Sequence, residues 1–411
     1  MSRVSREDCV ALDLADPLRD RRYLFDLPQG VIYLDGNSLG ALPKAVPGRL
    51  AQVVAEEWGR DLIRSWNTAG WIDLPARVGA RIAPLIGAGA DEVIACDSTS
   101  VNLFKLAAGA LALRPERKVI LTEPGNFPSD LYILQGLSDL EPGVEVRVVP
   151  RAQLAEALDE TVALLLLTQV HYKTGEVHDV AALTARAHAV GALTLWDLSH
   201  SAGALPVDLT GAQADLAVGC GYKYLSGGPG APAFAYVARR HQQDFRSPLT
   251  GWMGHAQPFA FDDDYRPGKG MAQLLCGTPQ VLGMAALEAA LSAFDGVDMA
   301  AVRTKSMALG DLFLRLVAER CGEDLTPACP TDGASRGSQV ALRHPSGYAI
   351  MQALIDRGVI GDFRAPDILR FGFTPLYVGY ADVWDAVDIL RQVMETEAWR
   401  DPRYAEVSAV T

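Results

Sequence analysis

Between residues 93 and 237 the chain alternates short apolar runs with amphipathic stretches. Residues 93–96, 118–122, 144–149, 162–168, 192–197, 215–219 and 233–237 read as strands. Residues 101–113, 129–137 and 180–190 carry helical periodicity. The strand runs lack polar alternation, so both faces of the sheet are covered, which is the pattern of a mostly parallel sheet with helices packed on it. The expected class is α/β, with a seven-stranded, mostly parallel sheet in a large domain and a smaller α+β C-terminal domain. In such sheets the working side chains gather at the carboxyl ends of the strands.

The flanks read differently. Residues 31–34 form a β-like run followed by the turn DGNSLGALP, and Pro43 opens a helix carrying Val46, Leu50, Val53, Val54 and Trp58. Residues 60–73 (RDLIRSWNTAGWID) show little periodicity and read as a loop, with residues 75–86 as the next helix. After Gly277-Thr278-Pro279 a helical stretch runs to about residue 318 with a break at Asp295-Gly296. A strand (339–343), a helix (347–357), a β-like pair (359–363 and 368–373) and a last helix (381–396) follow. This suggests an N-terminal segment (1–60), a large domain (61–285) and a small domain (286–411).

Composition adds exclusions. The 411 residues are 49% hydrophobic and 21% charged, as in ordinary folded chains. Net charge is 37 − 50 = −13 with no basic stripe, which argues against nucleic acid and anionic membranes as partners. The six cysteines form no CxxC and read as free thiols in a reducing cytoplasm. There is no HExxH, and His171 with His178 is a poor metal pair, so no metal site is expected. The N-terminus is too charged for a secretory signal and no apolar run reaches membrane length. The expectation is a cytoplasmic protein.

The chemistry concentrates between residues 192 and 235. One strand run ends at Asp197, with His200 three residues on, and another is followed by Tyr222-Lys223 and the glycine-rich SGGPGAP. A lysine able to form a Schiff base and a carboxylate able to hold a pyridinium proton are what pyridoxal phosphate (PLP) requires. A lone lysine is ordinarily a surface residue; the apolar setting and the matching Asp197 favour the cofactor. Asp97-Ser98-Thr99-Ser100 opens a helix, either as a plain cap or as an anion cradle for a phosphate. Phe127 is either part of a turn or a ring that stacks on a planar cofactor. His200 either lies under that ring, orients Asp197, or is a satisfied core histidine. Arg370, in DILRFGFTPLY, either meets a substrate carboxylate bidentately or closes an internal salt bridge.

With these residues assembled, the chain resembles the kynureninase family of PLP enzymes of aminotransferase fold type I, class V-like. The likeness spans nearly the whole length: LDGNSLGALPK, SWNTAGW, STSVNLF, FPSDLY, TQVHYKTGEVHD, WDLSHSAGA, GYKYLSGGPGAPAF, GWMGH, CGTP and RAPDILRFGFTPLY. The resemblance implies that Lys223 bonds PLP, Asp197 holds the ring nitrogen with His200 beside it, and Phe127 stacks. It implies that Asp130 and Thr168 complete the surroundings, and that Thr99, Ser100, Tyr222, Trp252 and Thr278 hold the phosphate. It further implies a homodimer with the site at the interface, Arg370 on the substrate α-carboxylate, and Tyr222 as an acid/base. The implied reaction is hydrolysis of L-kynurenine to anthranilate and L-alanine, a step of tryptophan catabolism that leads on to NAD biosynthesis. Trp66 and Gly277-Thr278 follow the pattern associated with kynurenine itself, with 3-hydroxykynurenine as a weaker substrate.

Two rivals bear weighing. A cysteine desulfurase or aminotransferase shares the fold, and a desulfurase would need a mobile nucleophilic cysteine; Cys329, in TPACPTDGAS, has no basic neighbour beyond Arg336 to activate it. A PLP-binding regulator would carry a basic DNA-binding module, which this acidic chain lacks.

Overall fold

A computed structural model describes residues 4–406; residues 1–3 and 407–411, the outer ends of the first and third expected segments, lie outside it. The seven runs form one seven-stranded sheet, in which residues 144–149 give a half-exposed edge strand, Glu145–Val148, and not one covered on both faces. Its spatial order is Val93–Ala95, Phe234–Val237, Leu216–Gly219, Leu193–Asp197, Val162–Thr168, Val119–Thr122 and Glu145–Val148. Phe234–Val237 runs antiparallel to both neighbours and the remaining pairings are parallel. Its direction follows from its connection. The link from Gly219 to Phe234 contains no helix, and a parallel return requires a crossover.

Every residue of Val162–Thr168 is buried. Leu164 and Leu166 pack into one apolar cluster while Leu165 and Leu167 pack into another, so the strand's two faces feed two cores. The small domain carries a four-stranded antiparallel sheet in the order Thr326–Pro327, Gln339–Arg343, Ile368–Gly372, Asp362–Arg364. The helices Met299–Arg320 and Tyr380–Glu395 pack together in it.

Some local expectations needed correction. Residues 60–73 are a run of short helical turns (Leu62–Arg64, Ser65–Thr68, Trp71–Asp73) instead of a loop. The run 359–363 is broken: Val359–Ile360 pairs in parallel with Ile32–Tyr33, and Asp362–Arg364 pairs with Ile368–Gly372. A Cβ at the intervening Gly361 would stand 2.8 Å from the Arg370 carbonyl oxygen. An unforeseen N-terminal helix, Arg6–Ala15, lies on the helix Tyr380–Glu395; Asp13 accepts hydrogen bonds from the Tyr380 and Ala381 N–H groups at that helix's start. Among the described residues no helix is long and apolar enough to cross a membrane.

At the sheet end opposite Lys223, buried Asp215 ties two strands together. It accepts hydrogen bonds from Thr194 N–H (2.8 Å) and is paired with His188, His241 and Arg240. Burial alone would raise its pKa, but bonds from His188 and His241 hold the carboxyl far below the usual range. A depressed native pKa means that this contribution is whole above the ordinary carboxylate range, near pH 4, and drains away as the pH falls below it. Asp215→Asn is therefore expected to cost about 1–3 kcal/mol at neutral pH by urea unfolding, with the gap from wild type narrowing below about pH 4.

Candidate active site

The carboxyl ends of the central strands open into a cavity of about 200 Å³ lined by Asp97, Ser98, Thr99, Ser100, Phe127, Ser129, Thr168, Tyr172, Asp197, Ser199, His200, Tyr222, Lys223, Gly230, Ala231, Ala233 and Gln280. Thr168 and Asp197 are direct partners across adjacent parallel strands, so their side chains arrive in one place. Asp197 is 2% exposed and accepts a hydrogen bond from Ser199 N–H at 2.7 Å. Burial pushes its carboxyl up from the ordinary range, with the Ser199 bond and Lys223 pulling the other way.

Lys223 is 8% exposed; its Nζ stands 5.5 Å from the Phe127 ring centre and 5.9 Å from that of Tyr222. The Tyr222 hydroxyl is kept protonated, as burial raises its pKa. Phe127 meets Tyr172 edge to face at 5.2 Å.

The helix expected at residue 101 begins two residues earlier, as Thr99–Leu113. Thr99 and Ser100 therefore occupy its first turn, where backbone N–H groups lack helical partners, and the Ser98 side chain caps Val101 N–H. Asp97 has a left-handed backbone (φ 46°) and is gripped by the fully buried Lys105, whose Nζ lies 2.7 Å from Asp97 Oδ2 and 2.7 Å from the Leu274 carbonyl oxygen.

Asp130 is buried just behind the lining. Its Oδ2 meets Thr168 Oγ1 at 2.9 Å and its Oδ1 has no partner. Thr168 Oγ1 also bonds Asn126 Oδ1. A hydroxyl has one hydrogen to give, and Thr168 faces two acceptors with it, Asn126 Oδ1 and Asp130 Oδ2. Burial and the nearby Asp197 raise the Asp130 pKa well above normal, with the Thr168 hydroxyl opposing.

Arg370, 1% exposed, makes the internal salt bridge. Nε donates to Asp362 Oδ1 at 2.8 Å, Nη2 to Asp362 Oδ2 and to Ser38 Oγ at 2.9 Å, and Nη1 to the Tyr172 carbonyl at 2.6 Å. Of five guanidinium N–H groups, one remains, on Nη1. Of the two readings the sequence left open, the internal salt bridge is the one formed, and an incoming carboxylate meets one free N–H in place of a bidentate fork.

Trp252, Gly277 and Thr278 are exposed and line no part of this chain's cavity. Trp66 is half-buried, edge to face with Trp71 at 6.2 Å and packed on the core, also away from the cavity lining. Asn126, Tyr172, Gln280, Gln339 and Asp362 are site neighbours that sequence reasoning missed. A signal existed for Asp362, because pairing the two β-like runs places it opposite Arg370. Among the described residues no cluster of three or more His, Cys, Asp or Glu could hold a metal, and no cysteine lines the cavity.

The donor set suits a particular ligand shape. It is planar enough for Phe127, cationic at the edge facing Asp197, anionic at the helix start, and carries a carbonyl for Lys223. Comparison with known proteins narrows this. The chain is 54% identical to a kynureninase of Burkholderia mallei (strain SAVP1) over 414 residues, covering 99% of this chain and 100% of that protein. The chain belongs to the kynureninase family. A second kynureninase, from Pseudomonas fluorescens, is 52% identical over the same shares, and the family model for the kynureninase C-terminal domain matches residues 302–390. Among solved structures, a cysteine desulfurase from Thermococcus onnurineus NA1 is similar in fold (TM-score 0.77, 20% identity, 92% of this chain and 98% of that one). A C-DES variant with glycine covalently linked to its PLP cofactor is also similar (TM-score 0.77, 17% identity, 90% and 98%). The fold is that of PLP enzymes of fold type I, as the kynureninase resemblance implied.

Gly40 packs against the lysine loop: its N–H donates to the Tyr222 carbonyl at 2.8 Å, and a Cβ there would stand 2.3 Å from the Lys223 carbonyl oxygen and 2.6 Å from Ser226 Cα. Gly40→Ala is expected to displace this loop at a cost of about 1–3 kcal/mol in urea unfolding.

Proposed function

We propose that this protein hydrolyses L-kynurenine to anthranilate and L-alanine, using PLP bonded to Lys223. The observation that carries the reading is one cavity in which Lys223, Asp197 and the Thr99–Ser100 helix start converge, in a chain 54% identical over its length to a kynureninase. Bound there, PLP would supply the electron sink that makes the α-proton labile and the Cβ–Cγ bond breakable.

The protein's own residues do the rest. Asp197, short of hydrogen bonds in a desolvated pocket, gains a cationic partner at the ring nitrogen. Thr99 and Ser100, with Tyr222, hold the phosphate at the helix start. Lys223 Nζ would bond the cofactor at rest and, as a free amine beside bound substrate, would take and return the proton at Cα. The Tyr222 hydroxyl, adjacent and protonated, serves as acid where water adds to the γ-carbonyl; positioned proton transfer of this kind is worth about 10²–10⁴ in rate. Arg370 offers its remaining N–H and its charge to the α-carboxylate, held by Asp362 so that it need not reorganise.

Trp252, Gly277 and Thr278 complete the cavity of a second copy in this reading, and the enzyme works as a homodimer. Support comes from the exposed aromatic group that Trp252 forms with Phe259 (5.6 Å) and Phe261 (6.5 Å), surface that a partner would cover. Six free cysteines fit a cytoplasmic setting, and the kynureninase relatives support the tryptophan-catabolic role.

Anthranilate fluorescence on adding L-kynurenine to the PLP-loaded protein is the expected result, with Lys223→Ala folded by circular dichroism but inactive. Absence of anthranilate from wild type, or normal turnover by Lys223→Ala, would overturn the reading. Arg370→Ala is expected to raise KM at least about tenfold while leaving the visible cofactor band in place. Loss of that band would mean that the arginine serves only the internal ion pair.

A further inference from the structure

The cavity histidine is held by a side chain outside the lining. Gln339, 1% exposed, lies at the start of the strand Gln339–Arg343. Its amide nitrogen donates to the carbonyl oxygens of Tyr172 (2.9 Å) and His171 (3.4 Å). Its amide oxygen accepts from Asn37 Nδ2 (3.4 Å) and lies 2.9 Å from His200 Nδ1. The two carbonyl oxygens permit one orientation. Turned over, the amide would set its own oxygen against both of them. With an acceptor facing it, Nδ1 must carry a hydrogen.

Charge is decided separately. Burial first, then the positive charges of Lys223, Arg370 and Arg364, push the His200 pKa well below normal; the Gln339 bond opposes this without reversing it. Burial disfavours a second proton on the ring, and with hydrogen on Nδ1 alone it presents Nε2 as an acceptor.

We propose that Gln339 is a positioning residue that fixes His200 as the neutral Nδ1–H tautomer, giving the cavity an uncharged ring with an accepting Nε2. The functional side of this rests on the PLP reading. An imidazolium beside a protonated pyridine would repel it and compete for Asp197, whereas a neutral amide orients the ring without inviting a second proton. The same amide also shares the Tyr172 carbonyl with Arg370 Nη1, so one acceptor sets the angle of both the histidine and the arginine.

The test is long-range proton–nitrogen correlation on PLP-loaded protein labelled with ¹⁵N-histidine, with the His200 signals assigned by their loss in His200→Gln. The expected pattern in wild type at neutral pH has hydrogen on Nδ1 alone; a hydrogen on Nε2 alone, or on both nitrogens, would overturn the proposal. Gln339→Glu is expected to protonate His200, shift the pH titration of the visible cofactor band, and lower kcat/KM at least about tenfold. Gln339→Met, which cannot accept in the same way, is expected to lose the single-tautomer pattern and replaces the glutamate variant if that fails to fold. An unchanged His200 pattern in either variant would sink the role assigned to Gln339. Failure of the PLP reading itself is seen separately, as no visible band and no anthranilate, while the tautomer is read from the same sample.

Discussion

A carboxylate kept almost dry is the constraint around which this molecule is built. Asp197 ends a fully buried strand and is short of hydrogen bonds, an arrangement that costs several kcal/mol unless a cation meets it. The sheet supplies the place, because parallel strands put Thr168 and Asp197 side by side at one edge. The neighbouring groups avoid adding to the burden. Burial pushes Asp130 and His200 toward their uncharged forms, raising the Asp130 pKa and lowering that of His200. Asp197 and Lys223 share the cavity with Asp97, which Lys105 grips, and its far end is a helix start.

The two halves of the chain meet at a backbone atom. The carbonyl of Tyr172, in the turn after the strand Val162–Thr168, accepts from Gln339 and Arg370, both on the small-domain sheet. Those two side chains come from adjacent antiparallel strands, where Ala341 lies opposite Arg370 and Gln339 opposite Gly372. Movement of the small-domain sheet would therefore alter histidine and arginine together.

Much of this was legible in the chain. Six apolar runs and the alternating run at 144–149 located the strands of the large sheet; Val162–Thr168 there, and Gln339–Arg343 in the smaller sheet, match residue for residue. Local context was enough for Lys223, Asp197 and the Thr99–Ser100 helix start, because each lies within a few residues of a strand end. What escaped depended on contacts distant in sequence. Nothing in the periodicity of residues 339–343 says that Gln339 reaches a histidine 139 positions earlier. Trp252 and Thr278 illustrate the opposite problem: their surroundings within one chain are solvent. The helical turns of residues 60–73 were hidden because pieces of three or four residues are too short to show a period.

The pairing of Ile32–Tyr33 with Val359–Ile360 bears on how the protein is made. On the ribosome, the early strand waits for more than three hundred residues before its partner exists, and the helix Arg6–Ala15 waits longer for Tyr380–Glu395. Gly40 belongs to this same early stretch, and its N–H bonds the Tyr222 carbonyl beside the lysine. The large sheet has all its strands by residue 237, yet the N-terminal flank that packs on the lysine loop gains its strand partner only at Val359–Ile360. The packing around the lysine loop therefore depends on a contact of long sequence separation, which completion of the large sheet does not supply.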